Sequence, residues 1–378
     1  MNLFGFLGRR RTSPADVTVV GSGMPARVVA LELARRRCRV RVLGTAGAAE
    51  RPAGLGLVAV GPGRPYEHVV HCLGREEARE VWAAGRENLD RVREFLEETR
   101  RSCGHEARGG FLLAADRKEA ESLAESEDML RDDGFPGEFL DHYMLETHFD
   151  VSGFSGAYWA ADDAEVDADA LVATAEKAAR AAGVVFQPAR VRGIDVGRSE
   201  ALVETEEGPI RAPWVVVATD AAASDLLPEL RPRLGPADSH RRRFVPEAGA
   251  SLPSTARTAD GRLAWQARPT AVTLAATGPP SAGEPGAADR LDALAARLHA
   301  TSGSERRWTE SAEISPDGLP IVGTVPGRPI GVACGFGPFA ASCVFAAARW
   351  VAEAIVSGRD PTPGPFRVGR NPVAEPPV

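Results

Sequence analysis

Residues 16–44 read DVTVVGSGMPARVVALELARRRCRVRVLG. DVTVV is a short apolar run of the kind that forms a buried strand. GSGMPA is a tight turn, PARVVALELARRR has helical spacing, and RVRVLG is a second strand. Strand, glycine turn, helix and strand make one βαβ unit. Gly21-Ser22-Gly23-Met24-Pro25-Ala26 fits the dinucleotide pattern G-x-G-x-x-A. Gly21 permits the turn, Gly23 lets a pyrophosphate approach the backbone, and Ala26 lets helix and strand lie close. The helix start offers free N–H groups and positive dipole to phosphates. The acidic residue that should end the second strand and hold a ribose is absent, because that place falls on Gly44. Either a dinucleotide is held with a weaker grip on its ribose, or the fold has lost its ligand.

Outward from this unit the chain stays organised. Ala78, Val81, Trp82, Leu89, Val92, Phe95 and Leu96 fall on one face of a helix over residues 75–101. GGFLLAAD reads as a strand, and residues 117–133 as a helix stopped by Gly134. Asp167 is a good N-cap for ADALVATAEKAARAAG, with Gly183 as its stop. ALVETEEGPIRAPWVVVAT reads as a hairpin around Glu207-Gly208 running into an apolar strand. From 228 to 290 periodicity is weak. PIGVACGFGPF is a strand and glycine turn, followed by a helix over 340–357 with Gly358 as its stop.

The 378 residues suffice for two domains or one large one. Hydrophobic residues are 44% and charged residues 26%, which excludes wholesale disorder. The net charge of −7 argues against nucleic acid or an anionic membrane as partner. No apolar run reaches the length of a membrane span, and MNLFGFLGRRR has its apolar piece before its basic piece. The expectation is a soluble cytoplasmic protein. Five cysteines without a CxxC pair do not suggest a disulfide framework or a closed zinc site. His68, His71 and Cys72 lack a third ligand, so no metal is expected. No G-x-S-x-G elbow supports a hydrolase. The basic run Arg241-Arg242-Arg243 reads as a solvated surface that could also receive an acidic substrate group.

Three further segments carry a family resemblance. EVDADALVATAEKAARAAGVVF with its hairpin and VVVAT strand, RPAGLG after the second strand, and RWTESAEISPDGLPIVGTVPG followed by GVACGFGPFAASCVFAAARWVAEAI resemble the D-amino-acid oxidase superfamily of flavoproteins. Glycine, sarcosine and γ-glutamylputrescine oxidases belong to it, and RPYEHVVHCLGREEAREVWAAGRENLDRVREF is most similar to the last. The resemblance covers most of residues 16–360 and is poorest over 228–305.

The resemblance implies an α/β fold with an α+β substrate domain. A Rossmann-like FAD domain of the glutathione-reductase type takes residues 12–64, 153–230 and 310–362. A discontinuous substrate domain on a mixed or antiparallel sheet takes 65–152 and 231–309, and 363–378 form a tail. It implies FAD held by Gly21, Gly23, Met24, Pro25, Ala26, Arg51, Ala53, Gly54, Val191, Thr219, Gly335, Phe336, Gly337, Pro338 and Phe339. It implies oxidation of the C–N bond of a small amine or amino acid, with hydride passing to flavin N5. No catalytic residue is identified, and a homo- or hetero-oligomer is admitted.

The departures are specific. Asp220 replaces the usual glycine after VVVAT. Ala312 stands where relatives acting on amino acids carry a carboxylate-gripping arginine. Glu310 stands near the place of the covalent flavin cysteine of sarcosine oxidases, so any FAD is expected to be non-covalent. Two alternatives remain: a partner or binding subunit with weak or no FAD, and an NAD(P)-dependent dehydrogenase.

Overall fold

The computed structural model describes residues 16–44, 54–149, 151–197, 199–245, 255–268, 271–278, 285–297 and 305–372. The opening βαβ unit forms as read: β1 (Val17–Val20), α1 (Met24–Arg35) and β2 (Val40–Gly44). Every residue of β1 is buried, as a strand needs when it pairs on both sides in parallel. There follow β3 (Leu57–Val58), α2 (Tyr66–Leu73), α3 (Arg75–Thr99), β4 (Gly110–Ala114), α4 (Arg117–Asp132), β5 (Gly137–Asp141), α5 (His142–Phe149), β6 (Gly156–Ala160) and β7 (Ala164–Glu165). The long helix α3 buries the stripe from Ala78 to Leu96 that its spacing predicts.

The helix α6 (Ala168–Ala181) begins at Asp167, whose carboxylate accepts from Ala170 N at 2.9 Å. Next come β8 (Val185–Pro188), β9 (Val191–Val196), β10 (Ala201–Thr205), β11 (Ile210–Ala212), β12 (Trp214–Val217) and α7 (Ala223–Leu226). The last third holds β13 (Gly235–Phe244), β14 (Ala256–Thr258), β15 (Leu263–Arg268), β16 (Ala271–Thr277), α8 (Ala287–Arg297), β17 (Glu305–Ile314), β18 (Ile321–Thr324), β19 (Ile330–Cys334) and α9 (Val344–Ser357).

Two large sheets result. One has the order β18-β19-β12-β1-β2-β8 and is parallel except for β18. The helices α1, α6 and α9 pack together beside it. The other, β17-β13-β16-β15-β14-β4-β6-β5, is mixed: antiparallel throughout except where β14 meets β4. This mixed α/β architecture is the fold class expected from the sequence.

The final helix starts later than its apolar run suggests. Residues 337–342 form a tighter 3₁₀ turn, and α9 begins at Val344. Ser342 holds that turn to the β3 segment, donating to Leu57 O and accepting from Ala59 N, both at 3.0 Å. The stretch with weak periodicity holds β13 to β16 and the first turn of α8.

Candidate active site

Ligands of open parallel sheets bind beyond the carboxyl ends of the strands. Here the ends of β1, β12 and β19 lead into Gly21, Ala218 and Gly335. The second sheet is tied to the same edge. Glu313 of β17 donates its N–H to Asp220 O at 2.8 Å, and Ile314 bridges to Phe336. Between the two sheets lies an open cavity lined by residues of both.

Four of the residues expected to hold cofactor line this cavity: Gly23, Met24, Gly54 and Gly337. Ala340 and Ala341 join them, so one wall is built largely of small residues. Gly54 and Gly337 are confined as well as small. A Cβ on Gly54 would sit 3.0 Å from Arg241 Nη2, and one on Gly337 would sit 2.8 Å from Ile314 Cγ2.

The other expected residues stand back. Gly21 is the buttress of the turn: a Cβ there would lie 2.8 Å from the Ala218 carbonyl carbon, and closer still to its oxygen. Pro25 and Ala26 are buried in the first turn of α1. Thr219 follows β12, and its Oγ1 is buried without a partner. Gly335 is fully enclosed, and Phe336 lines a separate cavity with Val60 and Leu319. Val191 packs at the edge of an apolar cluster that includes Val20, Leu43 and Val203. Pro338 and Phe339 lie in the 3₁₀ turn. Arg51 and Ala53 lie outside the described residues.

The end of β2 lies close against the turn. A Cβ at position 44 would come within 2.7 Å of Gly21 O and 3.0 Å of Ser22 Cβ. A side chain there would require the turn or the strand end to shift.

The polar part of the cavity is less legible in the sequence. Strand alternation in the β13–β17 pair turns Ser239, Arg241, Glu310 and Ala312 to the cavity. Arg241 is only 1% exposed, and its Nη2 donates to Glu310 Oε2 at 3.0 Å. Its Nε and Nη1 and the Ser239 Oγ are buried without partners. The basic run is therefore divided. Arg241 is buried at the cavity wall, Arg242 pairs with Asp292 and Glu305, and Arg243 bonds Asp169 and Thr273.

From the other side, Arg27 of α1 donates to Ser22 O and Gly23 O and pairs with Glu176 at 2.9 Å. Asp220 stands over Gly23 and exposes its surface to the cavity. The protein enclosing it and the Glu310 carboxylate push its carboxyl up to about 6, with Arg27 pulling the other way.

Two lesser features resolve simply. Cys334 is fully buried, and burial pushes its thiol up, as for a core cysteine. Cys72 Sγ lies 3.7 Å from His68 Nε2, and among the described residues no third donor joins them. Among the described residues no helix is long and apolar enough to cross a membrane.

Comparison with known proteins agrees with this geometry. The chain is 27% identical to glycine oxidase of Geobacillus kaustophilus (strain HTA426) over 217 residues, 56% of this chain and 56% of that protein. The match thus spans just over half the length of that curated relative. The fold is similar to the crystal structure of glycine oxidase from Geobacillus kaustophilus, with a TM-score of 0.74 and 22% identity, covering 95% of this chain and 99% of that one. It is also similar to L-proline dehydrogenase from P. horikoshii, with a TM-score of 0.73 and 17% identity, covering 93% and 96%. The family model described as FAD dependent oxidoreductase matches residues 16–354. With nearly the whole described chain inside that match, the protein belongs to the FAD-dependent oxidoreductase family typified by D-amino-acid oxidase.

Proposed function

We propose that this protein binds FAD non-covalently and oxidises the C–N bond of an amine or amino acid. The observation that carries the reading is the cavity between the two sheets, walled on one side by the Gly23–Met24 turn and by Gly54, Gly337, Ala340 and Ala341. Ser239 and Arg241, which line it, carry polar atoms without a protein partner, as suits a ligand that brings its own polar groups. Residues 12–64, 153–230 and 310–362 make the FAD domain in this reading, and 65–152 and 231–309 the substrate domain. Non-covalent attachment is supported by Glu310 at the cavity, where among the described residues no cysteine lines the wall.

When bound, FAD would supply the two-electron acceptor for a hydride from the carbon beside nitrogen, with the nitrogen's proton passing to solvent and the C=N product hydrolysed by water. The chain's own part is positioning and electrostatics. Glu310, fixed by Arg241 and by Trp308 Nε1 at 3.1 Å, presents a carboxylate to a substrate amine.

Among the described residues, none of Arg243, Arg257 and Arg268 replaces the clamp at Ala312. Arg243 is bonded to Asp169, Arg257 faces Asp163 at 3.6 Å by a separate cavity, and Arg268 donates to Gly104 O at 2.6 Å. Arg241 stands opposite Trp308, four residues along β17 from Ala312. An α-carboxylate left unpaired there would cost several kcal/mol. Glycine and D-alanine are therefore expected to bleach the flavin slowly under anaerobic conditions, and larger primary or secondary amines faster. Rapid bleaching by glycine at low concentration would show that another group grips the carboxylate.

The purified protein should be yellow, or turn yellow on adding FAD at pH 6, and release FAD on heating. A chain that takes up no FAD at that pH favours the second reading, a partner or binding subunit that keeps the fold. One observation supports that reading, namely the Asp220 carboxylate over Gly23.

Gly23→Val is expected to fold, since the Asp220 side chain can swing aside, yet to lose FAD. Its side chain would stand where pyrophosphate approaches. Flavin content per chain checks this, and equal content would mean that the phosphates bind elsewhere.

A further inference from the structure

Asp220 occupies the one volume that a dinucleotide fold keeps clear. A Cβ on Gly23 would lie 2.7 Å from Asp220 Cγ and 2.9 Å from Oδ1, with Oδ2 closer still. That is the space through which a pyrophosphate reaches the second glycine of the turn. It is also where the free N–H groups and positive end of α1 favour an anion. The loop bearing Asp220 is anchored, because Asp220 O accepts from Glu313 N at 2.8 Å. Among the described residues the carboxylate itself has no hydrogen bond and no ion pair.

The charges around it come from every packed element. Among the described residues Arg27 of α1 is the attractive group that acts on it, and that guanidinium is already paired with Glu176 of α6. Glu310 of β17 repels it, and Arg241 of β13 is paired with Glu310. The Glu313 carboxylate is taken up by Ser224 N and Oγ of α7. The surrounding protein and Glu310 push the Asp220 carboxyl up to about 6, while the residue stays open to the cavity.

Resting on the FAD reading, we infer that Asp220 sets cofactor affinity: its carboxylate competes with the pyrophosphate for the seat over Gly23, and FAD is taken up together with one proton. Protonation at Asp220 removes the repulsion and lets the side chain turn aside. Above the carboxyl's titration, each pH unit should weaken FAD binding roughly tenfold, as one linked proton requires. At pH 8 the chain would hold FAD loosely, and at pH 6 firmly.

The test is FAD titration of the purified chain, followed by quenching of flavin fluorescence, at pH values from 5.5 to 8.5. Asp220→Asn and Asp220→Gly are measured beside it, with thermal melts as the check on folding. Asn keeps the volume and removes the charge, whereas Gly removes both. The expected result is a dissociation constant that rises with pH for the unaltered chain. Both variants should be flat with pH and at least tenfold tighter at pH 8. A pH-independent constant for the unaltered chain would overturn the inference and leave the FAD reading intact. So would a tightening by Gly that Asn does not share, since bulk rather than charge would then be at work. No uptake by any of the three at any pH would overturn both.

Discussion

Gly21→Ala should lower stability on the order of 3–5 kcal/mol, whether or not flavin is present. Gly21 has φ of +150°, outside the regions that side chains favour. A Cβ there would also press on the Ala218 carbonyl, which is backbone and cannot turn aside. Relief means parting β1 from β12 where Ala218 N donates to Val20 O at 2.9 Å, or breaking the 2.9 Å bond from Gly21 N to Leu43 O. Both bonds set the register of the central parallel strands. Urea unfolding of the variant beside the unaltered chain checks this. A midpoint moved by less than the equivalent of about 0.5 kcal/mol, the usual effect of a neutral surface change, would show that the turn yields easily.

Asn88→Leu is expected to cost about 3–5 kcal/mol and to loosen the small-residue wall of the cavity. Asn88 lies in the middle of α3 and is wholly buried. Its Nδ2 donates to Ala341 O at 2.8 Å, and its Oδ1 accepts from Phe345 N at 2.9 Å and Ala346 N at 3.3 Å. The helix α9 has no side-chain cap of its own, so a residue some 250 positions earlier supplies one. Leucine has a similar volume and no polar atom. It would leave two N–H groups and one carbonyl buried and unpaired, each worth about 1–3 kcal/mol, with the two N–H groups sharing one lost acceptor. A thermal melt and flavin content report both effects. A variant within about 1 kcal/mol of the unaltered chain would mean that water reaches these groups.

The turn Gly21–Ala26, the stripe of α3 and the cap at Asp167 are local signals. Each depends on residues within a few positions of one another, and each forms where its pattern places it. The strands β13 and β17 were not legible in that way. Their cavity faces carry Ser239, Arg241 and Glu310, polar groups at positions where an ordinary core strand would show apolar alternation. The arginine run looked like a solvated surface for the same reason. Alternation along β13 gives its neighbours different fates, and no local pattern says that Arg241 will meet a carboxylate 69 residues further on.

Local periodicity and glycine placement thus sufficed for the opening dinucleotide unit and its helices, and the family motifs for the flavoprotein class, because those features are set by short-range sterics and by matched sequence segments. The charge state of the cavity depended on long-range packing. The Asp220 departure is visible in the chain, but its seat over Gly23 exists because β12 ends beside β1. The Arg241–Glu310 pair exists because β13 lies against β17. The cap of α9 exists because α3 crosses its start. Burial and close approach between distant segments assign these side chains their partners, and with them their chemistry.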